Sequence, residues 1–321
     1  MREYRVSTLL DRQPMNWIQR FQQLRGNRRR FEPDDARTAG FDAERRLTLR
    51  LRGLVDGSAA RVWPNRRVPT HRKRRTELDL IVALDGTLVL VELKNWSGEL
   101  VLHGGDLVQR RRHGMEEVRH GDLRARMAER VEAVQRWCAD HGAARVEIEP
   151  VIVLANPRLQ ISEDVITAYD GLLSSEAEFL ASMARRVASL SPLTPTALSL
   201  HRAIAALSTW DTLVLHGGRE VQGDIVDVSF GEALDAKDPR RALGDRRRVA
   251  GFDVETPRSF WRLFRGALTP RARVIEREAP GAWLALPPEA SLRIRAAGSK
   301  QTEQVPLRHV LQVRYGATRR R

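Results

Sequence analysis

The sequence predicts an α/β fold, a mixed β-sheet flanked by helices, followed by a small β-rich domain. Three observations lead there. Residues 41–55 space their apolar side chains for a helix, residues 77–84 and 88–95 read as two apolar strands joined by Asp85-Gly86, and residues 122–141 form a long amphipathic stretch ahead of the apolar run 151–154. Helices and strands in that order pack as a sandwich around a mixed sheet. The chain of 321 residues is long enough for two cores. It divides into an N-terminal arm (1–35), an α/β domain (36–190) and a β-rich domain (191–321).

In the arm, Trp17, Ile18, Phe21 and Leu24 share one face of a short helix ending at Gly26. In residues 41–55, Asp42 is placed as the N-cap, and Leu47, Leu51, Leu54 and Val55 form the buried stripe. Glu44 falls on that stripe, while Arg45, Arg46, Arg50 and Arg52 point elsewhere. A carboxylate on a core-facing side is uncommon, although a glutamate in a first turn also complements the helix dipole.

Asp85-Gly86 is a strong hairpin signal. A two-residue turn there sets Leu84 against Thr87, and counting back brings Asp79 opposite Glu92 and Glu77 opposite Lys94. Opposed residues on one face have Cβ atoms roughly 4.5–5.5 Å apart, close enough for two carboxylates to share one divalent cation. Left alone they would destabilise the sheet, so a metal or Lys94 must compensate.

After Trp96-Ser97-Gly98, residues 99–102 and 106–112 are expected to extend the same sheet. The helix over 122–141 buries Leu123, Met127, Val131, Val134 and Trp137 and ends at Gly142. Arg124, Arg126 and Arg130 either face the cleft of the acids or form an exposed basic face. Residues 151–154 fill a central strand, and Ser175 with Glu178 makes a capping box for a helix to about residue 190. Residues 191–195 read as a linker, followed by a helix over 197–207. Residues 212–228 and 291–315 are two β units of similar layout, an internal duplication within a small barrel or sandwich, with residues 260–264 as a connecting element.

Composition narrows the chemistry. The net charge is +14, from 55 basic and 41 acidic residues, which points to a polyanionic partner. Basic residues gather at 28–30, 66–67, 71–75, 110–112 and 246–248, and the run at 71–75 leads into the strand carrying Asp79. Only four are lysines, Lys73, Lys94, Lys237 and Lys300. Lys94, in Glu92-Leu93-Lys94, therefore stands where this chain almost always writes arginine. Its ammonium is a compact point charge, whereas a guanidinium needs a planar partner. Cys138 is the one cysteine, so no disulfide framework or cysteine zinc site exists, and a buried thiol is expected. The eight histidines lack the close pairs of a zinc hydrolase, leaving a hard cation held by carboxylates. No apolar run reaches the ~20 residues of a membrane span, and a cytoplasmic protein without membrane contact is expected. No Gly-rich phosphate loop with Lys and Ser/Thr occurs, nor a kinase catalytic-loop signature.

Glu44 on a helix, Glu77-Leu78-Asp79 on one strand, Glu92-Leu93-Lys94-Asn95-Trp96-Ser97-Gly98 on the next, and a helix, strand and helix after them resemble the NERD (nuclease-related) domain, a branch of the PD-(D/E)XK nuclease superfamily. The resemblance covers residues 36–190. It implies a restriction-endonuclease-like core and a Mg2+-dependent (or Mn2+-dependent) endonuclease or nickase. Asp79 and Glu92, with the backbone carbonyl of Leu93, would hold the metal. Lys94 would position the attacking water, and Glu44 would assist at the metal. Glu77 and Trp96 are secondary. Nucleic acid, DNA ahead of RNA, would lie against Arg72, Lys73, Arg74, Arg75, Arg110, Arg111, Arg112, Arg124 and Arg126. The resemblance points to defence against phage or other foreign DNA. Many relatives carry an Asn-Pro and a glutamine where this chain reads His120-Gly121-Asp122, which puts substrate positioning in question rather than metal binding. Two other readings stay open: a nucleic-acid-binding module without catalysis, and an assembly subunit whose residues 191–321 contact protein partners or a second copy of the chain.

Overall fold

The protein is described from a computed structural model covering residues 22 and 25 and, from residue 35 onward, all but 71–74, 112–115, 144–145, 191–193, 236, 247, 259–268, 277–279, 298, 300 and 317–321; for 35–39, 41, 280 and 282 it describes the backbone alone. The expected arm helix, the connecting element at 260–264, and Arg72, Lys73, Arg74 and Arg112 lie outside the described residues. Two compact units form, residues 34–209 and 210–316.

The first unit is built on a six-stranded mixed sheet. Its strands are β1 (Arg61–Pro69), β2 (Arg75–Ala83), β3 (Thr87–Lys94), β7 (Glu147–Leu154), β9 (Leu173–Ser175) and β10 (Ser208–Thr209), in the order β10-β1-β2-β3-β7-β9. β1, β2 and β3 pair antiparallel, and β7 runs parallel to both β3 and β9. Against one face lie α1 (Asp35–Val55) and α4 (Glu176–Ala188), where Leu47, Leu51, Phe179 and Met183 meet Leu80, Val82, Val89 and Val91. The other face takes α2 (Leu123–Asp140) and α5 (Pro195–Ala205), with Met127, Val134, Leu200 and Ile204 against Ile81, Leu88, Leu90 and Ile152.

α1 begins at Asp35, so Asp42 is not its N-cap but an exposed interior residue. Ala36, Arg37 and Ala39 extend the helix backward, and Gly40 costs only about 1 kcal/mol. Glu44 then lies well past the first turn, beyond the reach of the helix dipole. α2 starts where expected, the Asp122 carboxylate accepting from Ala125 N at 3.0 Å, and Gly142 takes φ +78° past its end. Cys138 is buried, and burial pushes its thiol up to about 11. Ser175 and Glu178 make the expected capping box of α4.

Residues 99–111 do not extend the large sheet. β4 (Glu99–His103) and β5 (Asp106–Arg111) join β6 (Glu116–Gly121) and β8 (Gln160–Ile161) in a separate four-stranded sheet, ordered β6-β5-β4-β8. The chain leaves the first sheet at Gly98, whose φ is +90° and where a Cβ would come within 2.0 Å of Arg110 O. Only glycine fits that turn. α3 (Glu163–Ala168) follows β8.

α5, which follows the residues read as a linker, completes the core of the first unit. Leu200, Ile204 and Leu207 are fully buried in it, and Trp137 Nε1 on α2 donates to Ala203 O at 2.8 Å.

The second unit is an eight-stranded antiparallel sheet: β11 (Asp211–Leu215), β12 (Glu220–Ser229), β13 (Val249–Glu255), β14 (Arg271–Glu276), β15 (Pro280–Ala285), β16 (Ser291–Ala296), β17 (Glu303–Pro306) and β18 (Val310–Arg314), ordered β15-β14-β13-β18-β11-β12-β16-β17. The hairpins β11–β12 and β16–β17 meet along β12 and β16. Phe252, Leu292, Ile294 and Val313 lie in its core. Asp211 is buried among donors, taking Ile225 N at 2.7 Å, Gly316 N at 2.9 Å and Arg246 Nη2 at 2.7 Å. On the solvent side, arginines meet acids: Arg271–Glu255 at 2.5 Å, Arg295–Asp224 at 3.3 Å, Arg293–Asp227 at 3.6 Å, and Arg314–Glu220. Exposed pairs add little stability, but they neutralise the face.

Truncating α5 tests its place in the first core. Leu200→Ala and Ile204→Ala should each cost about 2–5 kcal/mol, read as a lower urea midpoint for the unfolding of residues 34–209. An unchanged midpoint would place α5 outside that core.

Candidate active site

The β2–β3 hairpin sets the site. Leu84 N donates to Thr87 O at 2.9 Å across Asp85-Gly86, with Gly86 at φ +78°. The register runs from Ala83↔Leu88 to Leu80↔Val91. The pairing ends one step before the count would set Asp79 opposite Glu92, and the Glu92 charge still bears on Asp79. There the ladder gives way, and Asp79 Oδ2 accepts from Leu93 N at 2.9 Å.

Alternate residues of a flat strand share a face. Ile81 and Ala83 lie in the core beneath α2, and Leu80, Val82 and Leu84 in the core beneath α1. Leu78 nonetheless joins the α2 side. β2 therefore turns over at Asp79. Across from it, Asn65 of β1 has φ +51°, and the β1–β2 register steps from Pro64↔Leu80 to Arg66↔Leu78 without pairing Asn65 to Asp79. Asparagine tolerates that left-handed conformation better than most residues. The turn-over breaks the count that set Glu77 opposite Lys94. Instead, Glu77 is the foremost of the neighbouring charges acting on Glu44 of α1.

Glu92 is only 5% exposed. Its Oε1 accepts from Lys94 Nζ at 2.5 Å, and its Oε2 from Arg130 Nη1 of α2. Burial pushes the Glu92 carboxyl up, but Lys94 and Arg130 outweigh burial and hold it below its ordinary range. Asp79 goes the other way. Burial, then the charges of Glu92 and Glu44, raise it well above the ordinary aspartate value. Burial, with Glu77 and Glu92, lifts Glu44 from 4.5 to about 7. The same burial thus acts unequally: cations hold the Glu92 carboxyl low, while like charges raise those of Asp79 and Glu44.

The four-stranded sheet walls the Lys94 side. Gln109, fully buried on β5, donates from Nε2 to Ser97 O at 2.6 Å and pins the loop after β3. The Gln109 Oε1 faces His120 Nε2 at 3.2 Å, which makes that nitrogen the protonated one. The His120 ring stacks on Trp96 at 3.9 Å, and Lys94 Nζ stands 5.7 Å from the Trp96 centroid. Burial, then Lys94, Arg111 and Arg126, lower His120 to about 4, so it is neutral near neutral pH.

The basic residues expected to bind nucleic acid separate. Arg110 pairs with Glu117 at 3.1 Å, and Arg111 donates to Gln109 Oε1 at 3.0 Å. Arg124 reaches Ala168 O, and Arg126 reaches His120 O at 2.6 Å. Arg75 is exposed at the start of β2. Of the three arginines in the first half of α2, Arg130 is the one that touches an acid of the cluster. Its place three residues after Met127 and four before Val134, on the buried stripe, is the sequence signal for it. Gln109 follows Leu107 at strand period on an inward face, a polar residue where an apolar one belongs.

Among the described residues no three acidic, histidine or cysteine groups converge in metal-holding geometry. The donor chemistry fits a magnesium-like ion all the same. Such an ion keeps several waters and is bound through one or two carboxylates, and Asp79 and Glu92 are the two that would offer them. Lys94 and Arg130, both drawn onto Glu92, already mark the spot as one that calls for positive charge.

Residues 39–155 match the family model of the nuclease-related domain (NERD). A probable kinase, PglW, of Streptomyces coelicolor (strain ATCC BAA-471 / A3(2) / M145) is 29% identical over 122 residues, which are 38% of this chain and 8% of that protein. The chain therefore spans a small part of the curated relative's length. No solved structure matches it. No described helix is long and apolar enough to cross a membrane.

The raised carboxyls give the metal-free protein a pH signature. Where both the folded and unfolded chains hold the proton, Glu44 has no effect on stability. Between 4.5 and about 7 the unfolded chain releases that proton first, so stability falls as pH rises. The urea midpoint should drop between about pH 5 and about pH 7.5, and Glu44→Gln should flatten the drop. Equal drops in both proteins would refute the assignment.

Proposed function

We propose that the nuclease-related domain at residues 39–155 is a metal-dependent nuclease that hydrolyses phosphodiester bonds of DNA, with Mg2+ or Mn2+ as its ion, in defence against phage or other foreign DNA. The observation that carries this reading is the meeting of Asp79, Glu92 and Lys94 where β2 and β3 part, with Arg130 closing over Glu92. Asp79, Glu92 and the Leu93 carbonyl are the groups that would hold the ion, and Glu44 would bear on it through water. A bound divalent ion polarises a phosphoryl oxygen and lowers the pKa of its water.

The rest falls to side chains. Lys94, tied to Glu92 through one oxygen, places an ammonium where the attacking water and the charge growing on the phosphate both gain from it. Arg130 adds a second positive charge from α2. Gln109 fixes Ser97 and the Trp96–His120 stack, which limits the directions open to the Lys94 side chain.

One observation favours the reading without catalysis. Both Glu92 oxygens are taken by cations of the protein itself, so the charge of this carboxylate is offset without a metal.

Plasmid and linear and single-stranded DNA incubated with Mg2+ or Mn2+ separate the two. Cleavage should be abolished by EDTA and by Glu92→Ala, and slowed about 10²–10³-fold by Lys94→Ala, with circular dichroism unchanged in both variants. Cleavage that survives both substitutions would sink the assignment. Binding without cleavage under any divalent ion would favour the second reading.

A further inference from the structure

We propose that the solvent face of α1 is a second nucleic-acid contact, a track for the phosphate backbone on the helix that carries Glu44 of the acid cluster. This deepens the nuclease reading and rests on it only for the role of that cluster. Arg45, Arg46 and Arg52 are exposed on that face, around Leu49, which is 58% exposed. Among the described residues, none of the three arginines has an acidic partner. Several other arginines do meet acids: Arg110 with Glu117, Arg136 with Glu132, and the cross-strand pairs of the second unit. Arg50 of the same helix is bound by Glu176 of α4 at 2.6 Å.

Position gives the face its direction. At 3.6 residues per turn, Arg45 and Arg52 are seven residues apart and lie on one line, separated by about 10.5 Å along the axis. About 100° further round the helix, past the buried Thr48 and Val55, lies the line of Glu44, on which the charges of the acid cluster act, and of Leu51, which the core buries. A backbone lying on Arg52 and Arg45 would run alongside the helix edge that carries Glu44. Arg46 flanks it beyond Leu49, whose apolar surface suits a sugar edge. Guanidinium groups present the planar fork that phosphate oxygens accept. Charge complementarity favours a polyanion, and the nearness of the acid cluster favours one with phosphodiesters over an acidic protein.

The test uses the full chain and a fluorescein-labelled DNA duplex in EDTA, with anisotropy read across a salt series. For wild type, the logarithm of affinity should fall steeply with the logarithm of salt. Each of Arg45→Gln and Arg52→Gln should reduce the slope by about 0.9, and the variant combining them with Arg46→Gln by about 2.7. Arg271→Gln, on the paired face of the second unit, should leave it unchanged. An unaltered slope in the triple variant overturns the proposal and leaves an acidic protein as the partner of this face. Because binding is read without metal, the readings fail separately. Slope lost on substitution in a protein that never cuts sinks only the nuclease reading, and cleavage with an unaltered slope sinks only this one.

Discussion

Three carboxylates, Glu44, Asp79 and Glu92, share a space from which burial excludes much of the water, and the first unit is arranged around that constraint. Like charges in such a place repel strongly, and each is disfavoured by desolvation as well. The chain resolves the conflict unequally. Glu92, with a cation on each oxygen, stays ionised. Asp79 spends one oxygen on Leu93 N and is raised well above the ordinary aspartate value, and Glu44 is raised to about 7. An arrangement this unfavourable must be held by something else, and the apolar layers on both faces of the sheet hold it. Leu47 and Leu51 anchor the helix that carries Glu44, while Met127 and Val134 anchor the one that brings Arg130.

The backbone supplies what side chains alone cannot. Flat antiparallel pairing would bond Leu93 and Asp79 into the ladder and leave no gap. The turn-over at Asp79, with Asn65 opposite in a left-handed conformation, parts the strands where the acids need room. The charge of Glu77 also bears on Glu44, adding a fourth carboxylate to the group. Gly98 then takes the chain away, past Arg110 O at a distance no Cβ permits, so that a second small sheet rises beside Lys94. Burial and nearby cations keep His120 uncharged there, which spares Lys94 a competing cation.

Much of this was legible in the residues. Asp85-Gly86 fixes a register, and register fixes which acids meet; Glu44 betrays itself as a charge on an apolar stripe. What stayed hidden depends on partners distant in sequence. Nothing in the letters of β1 announces that Asn65 will take φ +51°, nor that the β2–β3 pairing will stop at Leu80↔Val91. Strand periodicity does not say which sheet a strand joins, and β4 and β5 read as extensions of the first. The helix α5 follows a proline-marked stretch, yet its apolar face completes a core begun well over a hundred residues earlier. Basic clusters misled in a different way. A sequence counts charges but not their pairing, and Arg110 and Arg111 are already engaged.

That distinction explains why position 94 is a lysine in a chain that otherwise writes arginine. Glu92 has two oxygens and two cations, and the division works because each cation takes one. A guanidinium at 94 would present a planar fork suited to both oxygens at once. It would lock the carboxylate bidentately and displace Arg130 or be displaced by it. The ammonium, a point charge on a flexible stem, holds a single oxygen and remains turned toward the open side of the site, near the face of Trp96. Arg130, fixed on α2 and partly buried, supplies the rigid half of the same charge. The pair therefore sets a guanidinium from α2 on one oxygen and an ammonium from β3 on the other, and a lysine at 94 leaves Glu92 free to be shared.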